Sequence, residues 1–388
     1  MNIGRTVFAQ VMAYVPEATF DECVARYHGN RNPRGFSCRD QFLAMAFAQL
    51  TFRESLRDIE ACLGAVPSRL YHMGFRGRVS RSTLADANEA HDWRIYFDLA
   101  KALAANARPL YAADPIGVDI DCLYAIDSTT IDLCLSLFPW AKFRKTKAAI
   151  KVHAIVDLHG NIPTFLSISN GKVHDVNFLD NFIPEAGAFY VMDRGYLDFK
   201  RLNVFQLAGA FYVTRNKCNV KLKRRYSHPA APASGVRSDQ TVVAASLSSA
   251  MAYPHALRRI VFVDPETGKR LEFLTNNFDL PAAVIAEVYK LRWQIELFFK
   301  WIKQHLRIKA FFGTSVNAVK TQIWIAVCVY LLVAILRKHL GLDASLYQIL
   351  QILSVTVFEK TSISKALERS DSQPDLRAPA NQLILFEK

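Results

Sequence analysis

Tyr289, Arg292, Glu296 and Lys303 stand in the run YKLRWQIELFFKWIK (289–303), which holds no Gly or Pro. The run predicts a helix, with Asp279 and Pro281 upstream as a start signal. At about 100° per residue these four side chains fall within a stripe roughly 60° wide. Val288, Leu291, Ile295, Phe298 and Ile302 form a separate apolar stripe. One face is therefore bound to a core, and another aims one carboxylate, two cations and a phenol in one direction. A stripe of this kind, taken alone, is ordinarily a solvated surface. Two further carboxylates end short apolar strands: Asp127 closes CLYAID (122–127) and Asp193 closes AFYVMD (188–193). A lone Asp at a strand end is ordinarily a cap or turn residue.

The spacing Tyr289-x2-Arg292-x3-Glu296-x6-Lys303 resembles the mark of the insertion-sequence-four family of bacterial transposases. MDRGYLD around Asp193 is similar to that family's second-aspartate motif. The resemblance implies that Asp127, Asp193 and Glu296 form an Asp-Asp-Glu site for two Mg²⁺ ions, with Mn²⁺ able to substitute. It also implies that Tyr289, Arg292 and Lys303 contact DNA phosphates near the cut. The chemistry suits those residue types. Phosphodiester cleavage needs an activated water and a stabilised leaving oxygen, and two hard cations about 3.5–4 Å apart serve both. Mg²⁺ prefers carboxylate oxygens and retained water.

The elements that must position these groups follow in order. After the first strand, AAIKVHAIVDL (148–158) and NIPTFLSIS (161–169) read as strands, with His159, Gly160 and Asn161 as a hairpin turn. HDVNFLDNFI (174–183) suits a helix, with His174 at its start rather than on a metal. GYLDFKRLNVFQLAG suits another helix, and AFYVTR (210–215) the next strand. Three hairpin-ordered strands, then helix, strand, helix, strand and a later acidic helix match the ribonuclease-H-like order. That order places acids on the first strand, the fourth strand and a late helix.

Glu296 lies 103 positions after Asp193, more than that core needs, so 217–276 reads as a β-rich insertion. It opens with KCNVKLKRRYSHPAAPASGVR, which has six Lys/Arg and no acid. TVVAASLSS, RRIVFVD and RLEFLTN read as antiparallel strands. The resemblance implies that the insertion helps hold a DNA hairpin intermediate. It contains no Trp, so any base-stacking residue would be Tyr, Phe or His.

Two basic runs are phosphate-contact candidates, with solvated charge as the alternative. One is KFRKTKAAIK, with Lys142, Arg144, Lys145, Lys147 and Lys151. The other is KLKRR, with Lys221, Lys223, Arg224 and Arg225. Arg194 and Lys151 are expected beside the acids.

Residues 1–108 read as helical. Ser37 with Asp40, and Thr51 with Glu54, have capping-box spacing, and Ser82 suits the start of another helix. The segments FSCRDQFLAMAFAQLTFRESLRDIE and RSTLADANEAHDW resemble the N-terminal part of one branch of the same family, which implies binding to terminal repeats. A plain helical packing domain is the alternative. The run IWIAVCVYLLVAIL (323–336) reads as a buried helix rather than a membrane span. The tail from about 369 reads as disordered. Gln382, Leu383, Leu385 and Phe386 near its end resemble the motif by which bacterial proteins dock on the DNA sliding clamp, with a strand folding back on the core as the alternative.

The 388 residues are 51% hydrophobic, enough for two or three domains, and carry a formal net charge of +13. That charge suits a polyanionic partner. Seven scattered Cys without a CxxC pair argue against a zinc site or disulfide framework and for a reducing cytosol. No signal peptide is read at the start.

The expected architecture is α/β. A helical N-terminal DNA-binding domain (1–108) precedes a ribonuclease-H-like catalytic core (118–216 and 277–312) with its insertion (217–276). C-terminal helices (313–368) and the tail (369–388) follow. The resemblance implies a cytoplasmic, nucleoid-associated enzyme without a membrane partner. It would act as a homodimer on double-stranded terminal inverted repeats and target DNA, cutting both strands, through a hairpin, and joining the 3′ hydroxyl to the target. A metal-dependent nuclease without strand transfer, and a non-catalytic DNA-binding derivative, are the alternatives.

Overall fold

The computed structural model describes residues 4–30, 35–230, 232–305 and 311–367. The chain opens with helices α1 (Val7–Met12), α2 (Glu17–Arg26), α3 (Cys38–Leu50), α4 (Leu56–Gly64), α5 (Pro67–Met73), α6 (Arg81–Ala90) and α7 (Arg94–Tyr111). Ser37 and Asp40 form a full capping box on α3. Two expected caps move. The expected Thr51 cap belongs to Ser55, which receives the Asp58 N–H, because α3 runs through Leu50 and leaves Thr51 at its end. Ser80, not Ser82, caps α6.

Strands β1 (Leu123–Leu133), β2 (Lys142–Arg144), β3 (Lys147–Asp157), β4 (Ile162–Asn170), β5 (Phe189–Met192) and β6 (Phe211–Arg215) follow, with α8 (Phe199–Leu207) crossing from β5 to β6. β4, β3, β1, β5 and β6 lie side by side in that order. The first three are antiparallel neighbours, and β5 and β6 run parallel to β1. The β3–β4 turn uses left-handed backbone at Gly160 (φ 77°) and Asn161 (φ 58°). A Cβ on Gly160 would fall 2.1 Å from the Tyr111 ring. Two expectations change here. β1 does not stop at Asp127 but continues to Leu133, because β3 runs beside it as far as Ala148. Residues 175–181 form 3₁₀ turns rather than an α-helix.

The region 217–276 supplies β7 (Leu222–His228), β8 (Val236–Ala244), α9 (Leu247–Ala252), β9 (Leu257–Val263) and β10 (Arg270–Thr275). These strands continue the same sheet, β10 pairing antiparallel with β6 and β7 lying outermost. Ser246, read in the sequence as part of a strand, caps α9.

Alternation along β1 separates the two faces of the sheet. Tyr124 and Ile126 join a core with Phe178, Leu202 and Phe205, under α8 and the 3₁₀ turns. Leu123 and Ala125 join the other core, which takes in α10 (Ala282–Leu291), α11 (Trp293–His305), α12 (Val316–His339), α13 (Leu346–Thr356) and α14 (Ile363–Leu367) together with the N-terminal helices. The first described helix is stitched to the segment leading into α14: Val7 N–H donates to the Glu359 carbonyl, and Gln10 bonds the backbone of Thr361 and Ile363. α12 has the length and apolarity to cross a membrane, yet 94% of its most apolar window is buried inside the fold. It packs against α3, α6, α7 and α13. Gln382, Leu383, Leu385 and Phe386 lie outside the described residues.

Candidate active site

The parallel pair β1–β5 ends at Ile126 opposite Met192. Asp127 and Asp193 come next, and the backbone stays extended at Asp193. Neighbouring strands lie about 4.8 Å apart, so the register puts the two Asp residues side by side. Both share the parity of Leu123, Ala125, Phe189 and Val191, on the face that α10 and α11 cover. Asp127 accepts the Ser128 N–H at 2.8 Å. The Asp193 carbonyl accepts from the Thr214 hydroxyl and the Tyr196 N–H, which pins that strand end.

The expected single helix over 289–303 is broken. α10 ends at Leu291, Arg292 forms a turn, and α11 starts at Trp293. Arg292 N–H bonds to Tyr289 O and Ile295 N–H to Arg292 O, the tight three-residue spacing of a 3₁₀ turn. Of the expected apolar stripe, Val288, Ile295, Phe298 and Ile302 are buried in the core and Leu291 is half-buried against it. Their polar neighbours reach the two strands. The Tyr289 hydroxyl lies 3.4 Å from Asp193 Oδ1. Arg292 forks between Asp127 Oδ2 at 3.1 Å and Glu296 Oε1 at 2.6 Å. Lys303 Nζ donates to the Thr130 carbonyl at 2.7 Å.

Burial is the main force on the Asp127 carboxyl and pushes its pKa up to about 6. The nearby charges of Glu296 and Asp193 push the same way, while the Ser128 N–H and Arg292 oppose them. Burial likewise pushes Tyr289 up to about 12, so its phenol is protonated at neutral pH. Arg292 is buried too, which works against its charge, yet Glu296, Tyr289 and Asp127 raise its pKa.

A cleft of about 430 Å³ opens beside the acids, lined by Asp127, Ser128, Thr129, Glu296, Phe299, Lys300 and Lys303. Lys300 was not singled out in the sequence; its signal was a position one helical turn after Glu296. A second missed residue is Asp175, on the opposite face of β1. It accepts from Ser128 Oγ at 2.6 Å and from Lys151 Nζ at 2.9 Å. Lys151 also donates to the Val173 carbonyl, so its ammonium is held inside the fold. His174 sits at the start of the 3₁₀ turns, where Asp175 begins them.

The remaining basic candidates lie further out. Lys142, Arg144, Lys145 and Lys147 are exposed on the β2–β3 hairpin, whose closing pair is Arg144 opposite Lys147. At about 3.4 Å per residue along β3, that tip stands roughly 20–25 Å from the level of Asp127. Arg194 is exposed next to Asp193. Lys221, Lys223, Arg224 and Arg225 are exposed at the outermost strand, β7, which is five strand positions from β5.

Among the described residues, no three acidic, His or Cys side chains gather as a ready-made metal cluster. The local reason is visible: Arg292 lies between Asp127 and Glu296, and Asp193 faces the Tyr289 hydroxyl. The donor set nevertheless suits a hard divalent cation. It is all carboxylate oxygen, and two of its members already share one positive group.

Residues 120–332 match the family model described as "Transposase DDE domain", and residues 3–76 match a domain of unknown function, DUF4372. The chain is 36% identical over 251 residues to the y4zB protein of Sinorhizobium fredii, which is named as a transposase; the match covers 64% of this chain and 69% of that one. It is 30% identical over 212 residues to a Geobacillus stearothermophilus protein named for the transposase of insertion sequence element IS5377, covering 54% and 55% of the two chains. A Synechocystis protein named for the transposase of element IS4SA is 27% identical over 244 residues, covering 62% and 68%. With the DDE domain spanning more than half of its length, the chain belongs to the DDE-domain transposases of bacterial insertion sequences.

Proposed function

We propose that this transposase binds the ends of its element, cleaves phosphodiester bonds with two divalent metal ions, Mg²⁺ or Mn²⁺, and joins the freed 3′ hydroxyl to target DNA. The observation that carries the reading is the placement of Asp127 and Asp193 in register on adjacent strands, with Glu296 reaching Asp127 through Arg292. The strand order β4-β3-β1-β5-β6 supports a ribonuclease-H-like core, and the Tyr289, Arg292, Glu296, Lys303 spacing supports the insertion-sequence-four branch.

In this reading Asp127, Asp193 and Glu296 hold the ions. When bound, the ions make water nucleophilic and stabilise the leaving oxygen. Tyr289, Arg292 and Lys303 orient the phosphates flanking the cut, the guanidinium through paired hydrogen bonds. Asp175 and Lys151 hold Ser128, whose N–H fixes the Asp127 carboxylate. Lys142, Arg144, Lys145 and Lys147 neutralise DNA beyond the site, with Arg194 nearer to it and Lys221, Lys223, Arg224 and Arg225 along the outer strand. A cytoplasmic homodimer, one site per element end, completes the assembly, with Gln382, Leu383, Leu385 and Phe386 as its contact to a sliding clamp.

The test is a Mg²⁺-dependent cleavage and strand-transfer assay on candidate end DNA, comparing wild type with Glu296→Gln. The variant should bind DNA and cut nothing. Full activity in the variant would remove Glu296 from the mechanism. Cutting without joining by the wild type would reduce the protein to a nuclease.

A further inference from the structure

The positive charge that Asp127 and Glu296 share belongs to the chain itself. Arg292 donates to Asp127 Oδ2 at 3.1 Å and to Glu296 Oε1 at 2.6 Å, and its side chain is only 16% exposed. Among the described residues its buried Nε has no hydrogen-bond partner. The fork is therefore well charged but incompletely satisfied, a state from which a better partner can remove it. Arg292 also sits at the break between α10 and α11. A side chain on a turn can swing without unwinding a helix.

A divalent ion needs the same carboxylate oxygens at about 2.0–2.1 Å. A guanidinium and a metal ion cannot both stand between Asp127 and Glu296, because like charges a few ångströms apart repel strongly at a buried site. The guanidinium geometry matches a second anion just as well, since phosphate oxygens take the same paired hydrogen bonds.

We propose that Arg292 is a built-in counter-ion that holds the site closed to divalent cations until a DNA phosphate draws the guanidinium away. This rests on reading Asp127, Asp193 and Glu296 as the metal ligands. Metal and DNA then bind cooperatively: each raises the affinity of the other by the same factor. The protein does not assemble a loaded site away from DNA.

The test measures Mn²⁺ binding by electron paramagnetic resonance of free Mn²⁺, with no turnover involved. It compares full-length wild type with Arg292→Gln, which keeps a polar side chain without the charge, and with Arg292→Leu; thermal melts check that each is folded. Without DNA, both variants should bind Mn²⁺ about tenfold or more tightly than wild type. Adding a nonspecific DNA duplex, with the Mn²⁺ held by the duplex alone subtracted, should tighten binding to wild type and change the variants little. Equal DNA-free affinity in wild type and both folded variants overturns the counter-ion role, as does an equal DNA effect in all three. Adding Glu296→Gln to Arg292→Gln separates the two readings. Loss of the tight binding in the double variant keeps Glu296 as a ligand whatever the counter-ion result. Undiminished binding places the ion elsewhere and overturns both.

Discussion

Asp127 and Asp193 stand one residue beyond Ile126 and Met192, the last facing positions of two parallel neighbours. Their separation is set by sheet register rather than by a flexible loop. Neither the β1–β5 pairing nor the core beneath it uses the Asp193 carboxylate, which accepts from the Tyr289 hydroxyl at 3.4 Å. Asp193→Asn should therefore leave the melting temperature near that of wild type while removing Mg²⁺-dependent cleavage. The loss should exceed the roughly 10–100-fold that follows when only a ligand's supporting partner is removed. Gel-based cleavage beside a thermal melt checks both halves.

The β2–β3 hairpin offers a purely electrostatic experiment. Lys145 and Lys147 are exposed at its tip. Replacing both by Gln should flatten the slope of log affinity against log salt by up to about 0.9 for each phosphate contact removed. Fluorescence anisotropy on end DNA across a salt series reads the slope. An unchanged slope would show that DNA passes elsewhere.

Between β8 and β9, Arg258 and Asp239 form a buried ion pair at 2.6 Å. Arg258 also donates to the Leu280 carbonyl, anchoring the approach to α10. Arg258→Leu strands the Asp239 carboxylate without its partner and should cost about 3–5 kcal/mol in chemical denaturation. Because α10 carries Tyr289, its DNA cleavage should fall as well.

His153 is buried against Phe178, and that burial pulls its pKa down to about 4; Lys151 adds to the effect and Asp175 opposes it. The unfolded chain, with a His near 6.5, binds more protons than the folded chain between those values. Stability therefore rises with pH across this window and is lost as pH falls from about 6.5 towards 4. Replacing His153 with Gln should spare about 2 kcal/mol of the loss between pH 7 and pH 5. Denaturant titrations at the two pH values measure it.

Much of this architecture was readable because short, largely continuous apolar runs mark β3, β5 and β6 whatever surrounds them. The extension of β1 past Asp127 was hidden. Ser128, Thr129 and Thr130 look like a loop, and only pairing with His153, Val152 and Lys151 respectively makes them a strand. β7 was hidden for the opposite reason. As an outermost strand with exposed cations it shows no apolar face, a common protection of sheet edges. The break at Arg292 had no Gly or Pro to announce it. At the site, the Arg292–Glu296 contact follows from four-residue spacing on a helix. The Arg292–Asp127 contact spans 165 positions and needed the folded sheet.

α12 serves as a common wall, with the N-terminal helices against it and the sheet's helical cover continuing from it. A shortened protein that begins at the first strand would strip one side of this rod and leave a long greasy surface facing water. Such a fragment should clump or stick to lipid rather than work as a minimal nuclease. Evolution could exchange the front helices of this enzyme only together with the side of α12 that receives them.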